Sequence, residues 1–294
     1  QGSLALREGL TLGYGLDWTE EKARLDGVGY AAEGSAVFAE AQIALSPALD
    51  LALSGRYDVP EAYENQLSGR AALAWRLPEG LIMRAVLGTG FRAPSLYERF
   101  GPYTNPDLAL NPEKSRSAEL GLEKRYGDQN FARVTLFRTE IDELIDYDFA
   151  ESSYAQIPGT TRSQGVELSG QVALGRGFSL VGNYTYTEAR TEEDRLLRVP
   201  RHDLSLGLAG ALSDRVSGQI GLQAVADRTD INAWPEPPSA LEDYTVLNTR
   251  LGYAITPRAE AWLRIDNLLD ESYQELRGFN TGGRSIHVGL SARF

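Results

Sequence analysis

The chain ends RSIHVGLSARF, Arg284–Phe294. Taken by alternate positions, Ile286, Val288, Leu290 and Phe294 share one face with Ala292, while Ser285, His287, Gly289, Ser291 and Arg293 share the other. One apolar and one polar face at period two is a β-strand pattern. The same reading applies upstream. LTLGYGLDW sets Leu10, Leu12, Tyr14, Leu16 and Trp18 against Thr11, Gly13, Gly15 and Asp17. VFAEAQIAL, LIMRAVLGT, GVELSGQVAL, DLSLGLAGAL and VSGQIGLQA alternate in the same way. Each run is about ten residues long, the length at which a tilted strand crosses a bilayer. Sustained helical periodicity is hard to find.

The connections alternate in length. Ser46-Pro47-Ala48, Pro78-Glu79-Gly80, Gly127–Asn130, Gly175-Arg176-Gly177, Ser213-Asp214-Arg215 and Thr256-Pro257-Arg258 are short and carry turn chemistry. Between them lie longer polar stretches near 19–34, 58–66, 92–116, 141–164, 188–200, 227–243 and 267–283. Short turns on one side and long loops on the other are the signature of a transmembrane antiparallel β-barrel, with the short turns periplasmic and the long loops extracellular. The expected fold is therefore all-β, with roughly fourteen strands. A soluble β-sandwich or propeller shares the alternation but not the short–long rhythm. Trp18, Trp75, Tyr126, Tyr184, Tyr186, Tyr253 and Phe294 fall near strand ends, where interfacial girdles need aromatic rings.

Composition is compatible with this and excludes other classes. The 294 residues carry no cysteine, so disulfides and thiolate metal sites are absent. A formal net charge of -12 argues against a nucleic-acid partner. A hydrophobic content of 42% suits a barrel, in which every second strand residue is apolar. No run of about 18 apolar residues exists for a transmembrane helix. The start, QGSLALREGL, is not a signal peptide. There are two histidines and no GxSxG element, so no enzyme is expected.

A narrower resemblance is carried by GTGFRAPSLYERFGPYTNPDLALNPEKSRSAELGLE, Gly88–Glu123. The segments GFRAPS, then NPDL, then NPEKS leading into a strand with a Glu resemble TonB-dependent outer-membrane receptors, although Ala109-Leu110-Asn111 departs from that family's pattern. GVELSG (Gly165–Gly170), NYTYTEAR (Asn183–Arg190), VPRHDLSLGL (Val199–Leu208) and RIDNLLDESYQE (Arg264–Glu275) resemble it in the same order. NLLDESYQELRGFNTGGRSIHVGL and the FGPYTNPDL loop look most like cobalamin (vitamin B12) receptors.

The resemblance implies that residues 1–294 are the C-terminal portion of a 22-stranded barrel in the bacterial outer membrane. A plug domain, a TonB box and the first strands are then expected upstream of Gln1. A smaller plugless barrel, acting as a passive porin, is the alternative. Expected partners are outer-membrane lipid, the TonB complex acting through the plug, the barrel assembly machinery reading Phe294, and cobalamin or a ferric siderophore as ligand.

Ligand contacts are expected from the outer loops at Arg92, Tyr97, Tyr103, Asn105, Tyr154, Trp234, Arg277, Phe279 and Asn280, with Tyr147 and Tyr273 offered by the same loops, because aromatic rings and hydrogen-bonding groups recognise large ligands. The polar face offers Glu40, Gln42, Arg70, Arg84, Glu119, Glu123, Arg133, Glu167, Gln171, Arg250, Arg264 and His287 to a wet lumen. No cofactor is expected. Asp142, Asp146 and Asp148, within TEIDELIDYDFAE, are the candidate Ca²⁺ ligands; the stretch lacks EF-hand spacing, and solvated loop charge is its other reading.

Overall fold

The computed structural model describes residues 1–294 except Arg176, Trp234, Pro235 and Phe294. In chain order the elements are β1 (Gly2–Arg7), β2 (Leu10–Leu25), β3 (Val28–Ser46), β4 (Leu49–Pro60), β5 (Gln66–Leu77), β6 (Leu81–Arg92) and α1 (Leu96–Phe100). There follow β7 (Glu113–Tyr126), β8 (Asn130–Asp142), β9 (Ile145–Asp148), β10 (Ser153–Gln156), β11 (Thr160–Gly175), β12 (Phe178–Arg190), β13 (His202–Ala211) and β14 (Val216–Ala226). The last are β15 (Arg228–Asp230), β16 (Ser239–Leu241), β17 (Tyr244–Thr256), β18 (Ala259–Asp266), β19 (Gln274–Leu276), β20 (Phe279–Asn280) and β21 (Ser285–Ala292).

Fifteen strands form one antiparallel sheet in the order β1–β8, β11–β14, β17, β18, β21. The pairs β9–β10, β15–β16 and β19–β20 are small hairpins inside the long loops. The count exceeds the expected fourteen because GSLALR is itself a strand, paired with β2 from Gly2↔Tyr14 to Arg7↔Leu10. An odd number of antiparallel strands leaves β1 and β21 pointing the same way. Among the described residues β1 pairs only with β2, and β21 only with β18.

Register aligns the apolar face across the wall. Leu120 lies opposite Leu136, Leu136 opposite Val166, and Val166 opposite Tyr186. This face is uncovered: Leu16 is 78% exposed, Leu67 77% and Leu290 78%. So large a continuous apolar surface is stable only against lipid. A small buried core lies elsewhere, where Val225, Tyr244 and Val246 pack against Tyr273 from the loop after β18.

One expected loop is not a loop. Residues 19–34 continue β2 and β3 as a paired ribbon from Thr19↔Gly34 to Leu25↔Val28. Asp26 (φ 49°) and Gly27 (φ 84°) turn it, the positive-φ pair that a tight hairpin demands. Beyond the membrane neither face needs to be apolar, so alternation stops at Trp18 while the hydrogen-bond ladder continues.

Candidate functional site

The long loops fold into two clusters. The first is organised by Arg92-Ala93-Pro94-Ser95 at the end of β6. Ser95 caps α1: its Oγ accepts from the Glu98 N–H at 3.2 Å, and Glu98 Oε2 accepts from the Ser95 N–H at 2.7 Å. Arg92 donates to Glu98 at 3.0 Å and to Glu113 at 2.6 Å. Glu113 in turn accepts the Ile145 N–H at 2.8 Å. Burial would raise the Glu98 pKa, but hydrogen bonds from Arg92 and Ser95 outweigh it and hold the carboxyl below its usual range. Arg92, expected as a ligand contact, is thus a brace between loops with both carboxylates already on it.

On this brace sits a shelf of rings. Tyr97 meets Tyr154 edge-on at 6.2 Å, Tyr154 meets Tyr147 at 5.7 Å, and Tyr147 meets Tyr103 at 5.5 Å and Phe149 at 5.0 Å. The Tyr154 N–H donates to the Tyr103 carbonyl at 2.9 Å, fixing β10 to the loop after α1. Tyr97, Tyr103 and Phe149 remain 40%, 46% and 51% exposed. A cavity of about 200 Å³ opens beside them, lined by Glu98, Arg99, Asn105, Leu108 and Tyr154 among others. Five expected residues, Tyr97, Tyr103, Asn105, Tyr147 and Tyr154, are therefore brought together. Phe149 completes the shelf and was absent from the expected set, although its place in YDF beside Tyr154 was readable. The segment 143–159 supplies Glu143, Asp146, Asp148 and Glu151 and no lysine or arginine.

The second cluster gathers the loops after β12, β14 and β18. Asp230 is fully buried. Its carboxylate accepts from Arg198 Nε at 2.7 Å, the Ile231 N–H at 2.8 Å and the Arg277 N–H at 2.7 Å, joining all three loops. Burial alone would raise its pKa, but these donors hold it below the usual carboxylate range. Arg228 lies 4.8 Å from the Tyr244 ring centre and donates to the Glu242 carbonyl at 2.9 Å; Tyr244 stacks on Tyr273 at 4.2 Å.

Arg277 uses its guanidinium on Ser239 and Ala240, and Asn280 accepts from Gln274 at 2.7 Å. Arg277 therefore ties its loop to β16 and Asn280 closes its own β19–β20 hairpin, whereas Phe279 is 67% exposed. Trp234 and Phe294 lie outside the described residues.

The acidic candidates for Ca²⁺ do not converge. Asp142 accepts from Thr160 at 2.7 Å and Arg116 at 2.9 Å. Asp146 accepts its neighbour's Tyr147 N–H, and Asp148 caps the Ala150 N–H. Among the described residues no three acidic, histidine or cysteine side chains are grouped to hold a metal. On the polar wall face, Glu123 is 1% exposed and is ringed by Arg84 at 2.8 Å, Arg125 at 2.6 Å and Arg133 at 2.5 Å. Its neighbours Arg84 and Arg133 were expected on that face, and Arg125 was not.

With this geometry in place, three comparisons bear on the chain. The family profile described as TonB dependent receptor-like, beta-barrel, matches residues 2–268. The vitamin B12 transporter BtuB of Vibrio cholerae serotype O1 is 28% identical over 251 residues, which is 83% of this chain and 40% of that protein. A point mutant of the ferric enterobactin receptor PfeA from Pseudomonas aeruginosa, solved with enterobactin, superposes with a TM-score of 0.82 at 19% identity, covering 99% of this chain and 53% of the other. The siderophore receptor PirA from Acinetobacter baumannii gives 0.82 at 15% identity, covering 97% and 52%. The chain thus spans 40% of that curated relative and about half of each solved one. At such identities the solved structures speak for the fold alone.

Proposed function

Because this chain belongs to the TonB-dependent receptor β-barrel family of the outer membrane, we propose that it is the C-terminal wall of an energised importer whose ligand is a corrinoid such as cobalamin. The whole receptor would hold a plug and the first strands upstream of Gln1. Its energy would come from the TonB complex acting on that plug, and the barrel assembly machinery would fold the wall. Capture by the outer loops would precede any plug movement.

The observation that carries the ligand class is the shelf of Tyr97, Tyr103, Tyr147, Phe149 and Tyr154 set in acidic surroundings. Ferric catecholates are polyanions, and four carboxylates on segment 143–159 without a lysine or arginine repel them. Of the cations nearby, Arg92 is neutralised by Glu98 and Glu113, and Arg99, at the cavity beside the shelf, lies 4.8 Å from the Phe100 ring centre, so one cation stands against the four carboxylates. A corrinoid carries no such negative charge and presents a broad ring system with many amide groups, which suits exposed tyrosines. The similarity to BtuB points the same way.

The test is equilibrium binding to the whole receptor in detergent, with cyanocobalamin and a ferric tricatecholate as the two probes. Saturable binding of cyanocobalamin, weakened by Tyr147→Ala, is the expected result. Binding of the ferric tricatecholate instead would overturn the corrinoid reading while leaving the receptor reading intact.

A further inference from the structure

Arginines on the lipid-side face gather in one sector of the wall. On four neighbouring strands, β7, β8, β11 and β12, the outward row is apolar through the belt and then turns to arginine at its outer end: Arg116, Arg138, Arg162 and Arg190. Register sets their heights. Arg116 lies opposite Glu140, Glu140 opposite Arg162, and Arg162 opposite Arg190. Arg138 stands one rung lower, opposite Gln164. The rung below that is Leu120, Leu136, Val166 and Tyr186. An open cleft of about 700 Å³ lies across these rungs, with Leu136 and Val166 at its lower end and Arg138, Arg162 and Arg190 at its upper end.

The depth is that of headgroups. Charged side chains on a barrel's lipid face are costly at the midplane and nearly free at the interface. Tyr186 packs on His202 at 5.4 Å just beneath the arginines, and such rings mark that interface. The long loops lie on the same side, so the leaflet concerned is the outer one.

Positive charge is in excess there. Arg138 and Arg162 share the single carboxylate of Glu140, at 2.5 and 3.3 Å. Glu188, which also lines the cleft, is taken by Arg201 at 3.0 Å, and Arg116 is paired with Asp142 at 2.9 Å. Among the described residues Arg190 donates only to the backbone carbonyls of Thr191 and Glu192. Arg138 and Arg162 remain 49% and 44% exposed. In a chain of net charge -12, a cationic patch placed above an apolar slot has a specific complement. Guanidinium groups pair with phosphate oxygens in bidentate geometry, and the slot beneath accepts an acyl chain.

We propose that this cleft holds a phosphate-bearing glycolipid of the outer leaflet, with its phosphate on Arg138 and Arg162, Arg190 alongside, and an acyl chain against Leu136 and Val166. The site is separate from the loop surface that takes the nutrient and does not depend on which nutrient that is. Its partner is identified by charge and amphipathic shape, since a neutral lipid would leave the guanidiniums unused.

The experiment is native mass spectrometry of the receptor extracted from outer membranes, titrated with bis-phosphorylated lipid A and separately with its dephosphorylated form. The unaltered receptor is expected to bind lipid A saturably and the dephosphorylated form at least about tenfold more weakly, the order of one lost charge-assisted contact. Arg138→Gln with Arg162→Gln should weaken lipid A to a similar degree, and the paired lysine replacements should restore only part of it, since an ammonium keeps the charge but not the bidentate geometry. Glu140→Gln removes the competing carboxylate without removing an arginine, so it should tighten binding. Equal affinity for the two lipid forms would overturn the proposal. So would undiminished binding by the glutamine pair, or loss of binding in Glu140→Gln. If the glutamine pair does not assemble, the dephosphorylated lipid and Glu140→Gln still decide.

Discussion

Replacing Asp230 by asparagine should unlock the second loop cluster while leaving the wall intact. The side chain is fully buried and accepts from Arg198 Nε, the Ile231 N–H and the Arg277 N–H. Asparagine keeps the shape but only one accepting oxygen. If that oxygen faces Arg198 and Ile231, the amide NH₂ is turned toward the Arg277 N–H, donor against donor. Losing a hydrogen bond to a charged acceptor costs about 1.5–3 kcal/mol, and a buried N–H left unpaired adds to it. Arg198 is about half exposed and can recover part of its loss in water. A local cost of about 2–4 kcal/mol follows, which is roughly a 30- to 700-fold rise in opening.

The assay is hydrogen exchange followed by mass spectrometry on peptides covering 227–243 and 267–284, with 143–159 as the internal reference. Exchange should quicken in the first two and stay unchanged in the third. The pH dependence has a fixed sign. The folded pKa lies below the ordinary one, so the stabilisation is complete above the unfolded value of about 3.9 and is lost as pH falls through the folded value. Protection in these peptides should therefore hold from pH 7 to 5 and fail only below about pH 4. Unchanged exchange in Asp230→Asn, or loss of protection already between pH 7 and 5, would refute the assignment of Asp230 as the joint.

Three further outcomes follow from the same geometry. Tyr147→Ala takes from the shelf the ring that Tyr103, Phe149 and Tyr154 all meet; a lost ring contact to the ligand is worth about 0.5–1.5 kcal/mol, so cyanocobalamin affinity should fall about two- to tenfold, while the loosening stays in the loop and the wall that sets the melting temperature in detergent is untouched. Glu123→Ala leaves Arg84, Arg125 and Arg133 facing one another; because each is 39–59% exposed and can turn to lumen water, a loss of about 1–3 kcal/mol of unfolding free energy, read from the shift of the denaturant midpoint, is expected rather than the full cost of a buried broken pair. Gly165→Ala would drive a Cβ into the Tyr186 carbonyl oxygen and to 2.8 Å from the Phe137 ring, so β11 must part from β12 there; the yield of folded, heat-modifiable barrel on electrophoresis should drop sharply.

How far the sequence could be read depends on which physical rule acted at each place. Across the membrane one face of every strand must meet lipid, so Leu120, Leu136 and Leu168 announce the strand, its direction and its register parity. Outside the membrane that demand ends. β2 and β3 continue through Glu20 and Glu33 on backbone pairing alone, and no periodicity in the sequence reports it. β1 was missed for a related reason: its outward Leu4 and Leu6 give too few alternations to stand out.

The site residues divide along the same line. Aromatics in loops are conspicuous, so Tyr97, Tyr103 and Tyr154 could be named one by one, yet nothing local said that they would meet each other. Asp230 and Asn267 were not legible because their role is made by partners far along the chain. The Asp230 donors come from Arg198 and Arg277, and Asn267 donates to the Glu271 carbonyl while its own N–H reaches Asn248. An aspartate in a polar loop is ordinarily solvated. Only the packing of three loops takes water from this one and makes its charge necessary. The consequence for ligand capture is that the two clusters differ in kind. The shelf around Tyr147 presents exposed rings and can change partners at little cost. The cluster around Asp230 is internally satisfied and resists change. A ligand that draws the outer loops inward should therefore reorganise the first and carry the second as a body, so hydrogen-exchange protection on binding should change at 143–159 far more than at 227–243. Equal changes in both segments would show that the loops act as one unit and that the division drawn from their hydrogen bonds is wrong.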